Sequence, residues 1–268
     1  MSKLAEIRNN KTLAYVVPFL AFMVFLSLDL VLSATGFKVD NEYAGAWYQY
    51  HTEQWIYPLQ SIVCFGIILF FWKQYEFRPL KGWIFGALVG AVGIVLWVLP
   101  AMLYGPLGVK DWPSFELSFP LLLDNKPIWS LFGLAERPDG FDASWFREEE
   151  PFWYACAIGM RFFRMVVVVA LVEEIFWRGF LLRYLIDPDK PFTKTAFGTY
   201  QAKAFWIVVG LFMVAHAPED WLGAVLFCIL ANWVAIRTKS LFACVICHAV
   251  ANLLLGIYVM VTQQWGYW

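Results

Sequence analysis

The chain has 268 residues, of which 61% are hydrophobic, 19% aromatic and only 15% charged, and its formal net charge is −1. Soluble domains run at about 45–50% apolar and about 25% charged residues. An ordinary soluble globule, a disordered chain and a disulfide scaffold are therefore excluded, and nothing in the charge points to a nucleic-acid partner.

A spanning helix needs about 20 apolar residues. Seven apolar runs stand out in chain order, at 12–35, 55–73, 83–104, 152–183, 204–218, 221–236 and 241–262. The first follows a segment carrying Lys3, Arg8 and Lys11. It is longer than the 7–15 apolar residues of a signal peptide, which predicts an uncleaved first span. The expected fold is all-α, a polytopic membrane protein with seven transmembrane helices and room for an eighth. It reads as one integral membrane domain: a three-span region over 1–104, a long connection over 105–151 and a helical core over 152–262.

The connections alternate in charge. Lys and Arg number 12 in the N-terminal segment and the connections at 73–82, 183–203 and 237–239, against 5 in the remaining connections, while 14 of the 21 acids fall in that second set. By the positive-inside rule the N-terminus is expected to be cytoplasmic and the C-terminus outside, in a cell membrane and most simply a cell inner membrane. The connection 105–151 then lies outside. It carries nine acids and aromatic residues such as Phe115, Phe119, Trp129 and Phe132; a folded cap, an interfacial helix, a re-entrant piece and an irregular loop all fit it.

Five cysteines (Cys64, Cys156, Cys228, Cys244 and Cys247) lie inside apolar runs. An odd, buried set reads as packing residues rather than disulfides. Ionisable groups within spans are costly and mark functional sites by default. Asp29, Arg161 and Arg164 fall near span ends, where they can pair or reach the interface, and Asn232 reads as glue between helices. The fourth run is different, because Glu173, Glu174 and Arg178 interrupt a valine-rich stretch. On an α-helix Glu174 and Arg178 are i,i+4 and can form an ion pair. Glu173 points about 100° away and is left for other work; in a dry site such a carboxylate suits a proton acceptor near neutral pH. The competing structural reading is that both acids balance Arg178 and Arg183.

The chain has three histidines. His51 reads as plain surface. Phe212 and His216 are i,i+4 in the fifth run, and His248 and Asn252 are i,i+4 in the seventh. Measured from the inner ends of their runs at about 1.5 Å per residue, Glu173, His216 and His248 fall at depths of about 15, 18 and 10 Å, which lets them meet in one polar cavity. Glu with His can activate a water for attack on a carbonyl, and a second His with an Asn can donate to the developing oxyanion. The same set can also form a two-His, one-carboxylate zinc site. Cys244 and His248, again i,i+4, make a weaker nucleophile pair. There is no G-x-S-x-G or H-E-x-x-H.

Glu173-Glu174-x-x-x-Arg178-Gly179, then Phe212-x-x-x-His216, then His248-x-x-x-Asn252, in this order on membrane helices, resembles the CAAX protease and bacteriocin-processing (Abi) family. The resemblance covers about 152–262. It implies a glutamic-type intramembrane endopeptidase without a metal cofactor, acting near the C-terminus of a lipidated or membrane-associated substrate. By that resemblance Glu173 and His216 activate the water, His248 and Asn252 form the oxyanion hole, and Glu174, Arg178 and Phe212 order the site or bind substrate. Membrane lipid and a peptide or lipidated protein are the implied partners. A non-catalytic immunity or partner-binding protein and a transporter remain as alternatives; no paired halves of the kind a transporter shows are visible.

Overall fold

The computed structural model describes residues 3–38, 47–50, 52–113, 116–119, 123–137, 140–142, 144 and 150–268. His51 and Phe115 lie outside this set, as do the side chains of Asp29 and Phe119. Seven apolar helices follow the seven runs: α1 (Lys11–Ala34), α2 (Glu53–Phe70), α3 (Trp83–Tyr104), α4 (Pro151–Tyr184), α5 (Ala202–Val214), α6 (Trp221–Thr238) and α7 (Leu241–Thr262). Six helical stretches are long and apolar enough to cross a membrane, α6 being counted with its leading turn from Pro218. With 13 residues α5 is shorter, about 20 Å long against a hydrocarbon core of about 30 Å. The protein is an integral, multi-pass membrane protein, all-α in its membrane region. Outward surfaces carry large apolar side chains such as Leu88 and Val92 on α3 and Val261 on α7, as lipid contact requires.

Two local features depart from the sequence reading, and a third fills in a connection that it left open. The connection 105–151 contains a two-stranded antiparallel hairpin, β1 (Glu116–Phe119) and β2 (Leu123–Pro127), with Glu116 opposite Pro127. The fifth run does not stay helical through 218: α5 ends at Val214 and Ala217 is extended (φ −59°, ψ 147°). Pro218 explains this, since the residue before a proline is pushed out of the helical region. Finally, α4 is not a uniform α-helix. Phe163–Val169 and Ile175–Leu181 are π-helical, and only the five residues Ala170–Glu174 between them are α-helical. Four successive valines, Val166 to Val169, end the first of these π segments.

The described chain falls into two compact units, Met1–Glu76 with Phe141–Phe176, and Phe77–Gly140 with Trp177–Trp268. In the first, the α1 N-terminus is capped by Asn10, whose Oδ1 accepts from the Leu13 amide at 3.0 Å. Gln60 of α2 is fully buried and makes a double link: its Nε2 donates to the Phe22 carbonyl of α1 at 3.0 Å, and its Oε1 accepts from Arg164 Nε of α4 at 2.6 Å. Phe19 of α1 stacks on Phe176 at 4.0 Å between ring centroids. The Tyr75 hydroxyl donates to the Ala14 carbonyl at 3.0 Å, and the Tyr15 hydroxyl accepts from the Glu76 amide at 2.9 Å, which fixes the chain where it leaves α2.

In the second unit α3 packs directly on α7. Gly86, Gly90 and Gly93 form one face of α3. A methyl group on Gly86 would collide with the Ala243 carbonyl and one on Gly90 with the Cys247 carbonyl, both backbone atoms of α7; at Gly93 it would strike the Phe227 ring of α6. Without a hydrophobic drive between lipid-solvated helices, close backbone approach at small residues is a main source of association. The start of α7 is set by Ser240, whose Oγ accepts from the Ala243 amide at 3.2 Å and donates to the Pro79 carbonyl at 2.5 Å.

Replacing Gly90 with alanine is expected to destabilise the protein by about 1–3 kcal/mol through overpacking. Gly66→Ala, where a methyl would meet nothing within 4 Å, is expected to leave stability unchanged. Thermal unfolding of the two variants in detergent checks the contrast.

Candidate active site

The three motifs fall on well-formed elements. In the first unit, Glu173 and Glu174 occupy the short α-helical stretch of α4 and are 9% and 0% exposed. The Oε2 atom of Glu173 is buried with no hydrogen-bond partner among the described residues. An unsatisfied buried acceptor costs about 1–3 kcal/mol, more when charged, so such a group calls for an explanation other than packing. Arg164, further up the same helix, interacts electrostatically with Glu173. Arg164 and Arg161 lie over the ring of Tyr57 at 4.4 and 4.1 Å, and Arg164 also over Phe22 at 5.3 Å. Aromatic faces, the Gln60 amide and the carboxylates of Glu173 and Glu53 all act on these two cations.

Arg178 lies in a π segment of α4, and π-bulges within α-helices recur at functional sites. In the second unit Arg178 is fully buried. Its Nε donates to Asn232 Oδ1 at 3.2 Å, its Nη2 reaches the Cys228 carbonyl at 3.5 Å, and its guanidinium lies over the Phe212 ring at 5.2 Å. Asn232 thus ties Arg178 to α6, the role of helix glue read from its sequence context. Arg183 caps the end of α4 instead: it donates to the carbonyls of Thr195 at 2.8 Å and Gly179 at 3.3 Å and covers Phe192.

His216 lies just beyond α5, in the turn that Pro218 enforces, and not on the helix itself. The link with Phe212 nevertheless survives. His216 Nδ1 is 2.7 Å from the Phe212 carbonyl and the two rings are 4.5 Å apart. A carbonyl can only accept, so the neutral ring carries its proton on Nδ1 and presents the lone pair of Nε2. That is the tautomer a proton acceptor needs. His248 is buried on α7 with Phe227 edge-on at 5.1 Å, and Asn252 follows one turn later on the same face. One aromatic cluster joins both histidines: Trp97 of α3 packs on His216 at 5.5 Å and on Phe227 at 6.2 Å.

The position of Trp97 is itself fixed. Its Nε1 donates to Asp220 Oδ1 at 2.9 Å. Asp220 pairs with Arg137 at 2.6 Å, and Arg137 also donates to the Glu219 carbonyl and lies over Tyr267 at 4.3 Å. The Arg137 amide donates to Gln264 Oε1 at 2.7 Å. Burial pushes the Tyr267 phenol up to about 12, with Arg137 pulling the other way. Part of the 105–151 connection therefore braces the turn that carries His216 and the segment after α7. Sequence reading missed Trp97, Arg137 and Asp220. A single Trp among 15 and acids in a short turn carry no local signal, and only the fold brings them together.

Four of the five cysteines (Cys64, Cys228, Cys244 and Cys247) are buried, and none of the five forms a disulfide among the described residues. Within either unit, no three His, Cys, Asp or Glu side chains among the described residues stand together as a metal site. The Glu173–Glu174 pair belongs to the first unit, and Arg178, Phe212, His216, His248 and Asn252 belong to the second.

These features define a multi-pass membrane protein with buried carboxylates, a buried histidine and buried arginines within its apolar helices. Residues 156–254 match the model of the Rce1-like family, type II CAAX prenyl endopeptidase Rce1-like. All three motifs lie inside that stretch, and the match supports the CAAX protease family and, with it, intramembrane endopeptidase activity in general. No curated protein and no solved structure matches the chain.

Breaking the Arg137–Asp220 pair from one side leaves the other charge part-buried and unpaired. Arg137→Gln and Asp220→Asn are each expected to destabilise the protein. A double-mutant cycle on thermal unfolding is expected to give a coupling energy of about 1–3 kcal/mol; additive effects would mean that the two side chains do not interact.

Proposed function

We propose that the protein is a metal-independent intramembrane endopeptidase that hydrolyses a peptide bond near the C-terminus of a lipidated or membrane-associated substrate. The single observation that carries the reading is the buried, unpartnered Oε2 of Glu173, on a helix that also supplies Arg178, inside the region matched by a CAAX endopeptidase family. Glu173 accepts the proton of a water molecule as that water attacks the scissile carbonyl. His216, with its proton on Nδ1 and Nε2 open, orients the water and shares the proton. His248 and the Asn252 amide donate to the oxygen on which negative charge develops. The proton then passes to the departing amine as the tetrahedral species collapses, leaving a free carboxylate and a free amine. Glu174 and Arg178 order the site, and Phe212 holds His216 through its carbonyl and ring.

In this reading the N-terminus is cytoplasmic and the C-terminus outside, following the bias of Lys and Arg among the connections. The membrane is most simply a cell inner membrane.

The test is cleavage of a panel of prenylated and unprenylated C-terminal peptides by the full chain in lipid nanodiscs. Glu173→Gln and His216→Ala are expected to lower kcat by about 10²–10⁴-fold, and Asn252→Ala by about 10²–10³-fold, with membrane insertion and thermal stability retained. Activity is expected to survive strong chelators. Full cleavage by Glu173→Gln would refute the assignment of the base, and loss of activity on chelation with recovery on added Zn²⁺ would refute the metal-free mechanism.

A further inference from the structure

We propose that the cavity where α3 begins and α6 ends binds the phosphate of an anionic membrane lipid headgroup. The cavity has a volume of about 310 Å³ and is lined by Lys81, Gly82, Phe85, Arg237 and Thr238, all in the second unit. That is at the small end of ligand sites and suits a phosphate ester.

The charge is uncompensated. Among the described residues neither Lys81 nor Arg237 forms an ion pair or a side-chain hydrogen bond. No acid occurs in residues 77–82 or 233–240, which also contain Arg78 and Lys239. The fork of Arg237 can grip two phosphate oxygens while Lys81 adds a point charge.

The backbone beneath these cations is braced. Gly82 has φ +73°, and a Cβ there would strike the Thr238 side chain, so the chain can cross α6 this closely only as glycine. The Ser240 hydroxyl holds the Pro79 carbonyl at 2.5 Å and the Lys239 ammonium holds the Gly198 carbonyl. The cations are therefore presented from a fixed platform at the ends of two span helices.

The surroundings favour a lipid over a free anion. Trp83 and Trp233 are about half exposed, Leu80 and Ile84 more so, and Phe85 meets Trp233 edge-on at 4.9 Å. Exposed Trp beside cations at span ends marks the headgroup level. Basic pockets between transmembrane helices are a recognised form of anionic headgroup site. Acyl chains attached to a bound phosphate would lie along the apolar side chains next to the cavity. The inference rests on the membrane setting alone and not on the proposed catalytic groups.

The test is native mass spectrometry of the full chain from nanodiscs of phosphatidylcholine with a minor share of phosphatidylglycerol. The wild type is expected to retain phosphatidylglycerol selectively. A Lys81→Gln, Arg237→Gln double variant is expected to lose that selectivity by roughly 30-fold, about five-fold per charge, with unchanged thermal unfolding in pure phosphatidylcholine. The charge-keeping Lys81→Arg, Arg237→Lys variant and a Lys110→Gln control are expected to keep it. Selectivity retained in the double variant overturns the proposal. Displacement of the lipid by millimolar inorganic phosphate also overturns it, because it assigns the cavity to the free anion.

Discussion

A hydrocarbon interior offers a polar group no water, so each buried charge and each backbone group must find its partner within the protein. The spans of this chain obey that constraint economically. Arg161 and Arg164 rest on aromatic faces and a buried glutamine amide, Arg178 is held by Asn232 and the Cys228 carbonyl, and Arg183 closes the end of its own helix. Glu173 Oε2 is buried without a hydrogen-bond partner among the described residues, and the proposed function builds on that atom.

Helix geometry places the groups around this economy. The glycine face of α3 lets its backbone reach that of α7 at Ala243 and Cys247, one residue before His248, and fits Gly93 against the ring of Phe227 that packs on the same histidine. A second line of support reaches His216 from the other direction, through Arg137, Asp220 and Trp97. Helix packing fixes one histidine and a polar brace fixes the other, so a change far from either ring can alter the site.

Much of the fold was legible in the sequence. Runs of apolar residues gave the seven helices to within a few residues at most ends, because in lipid composition alone decides what spans. The motif residues were legible for the same reason, since Glu173, Glu174 and Arg178 interrupt an otherwise apolar run. What escaped was geometry that depends on tertiary context. The helix of the fifth run stops before His216 because of Pro218 four positions from the last helical residue, and no apolar periodicity marks where the π turns of α4 fall. Gly86-x-x-x-Gly90 is a readable small-residue signature, although glycines in an apolar run add nothing to hydropathy. The brace of Arg137, Asp220 and Trp97 joins residues as far as 123 positions apart and has no local trace.

The central proposal is that Glu173 and His216 act on one water molecule. The most direct measurement is crosslinking of Glu173→Cys with His216→Cys by bifunctional thiol reagents of graded length, in the membrane-embedded full chain with the five native cysteines replaced. Two long side chains that share a water hold their Cα atoms beyond the ~7 Å that a disulfide can bridge, so the account predicts efficient crosslinking by reagents about 5–10 Å long, without loss of membrane insertion. Failure to crosslink with any of them would contradict it.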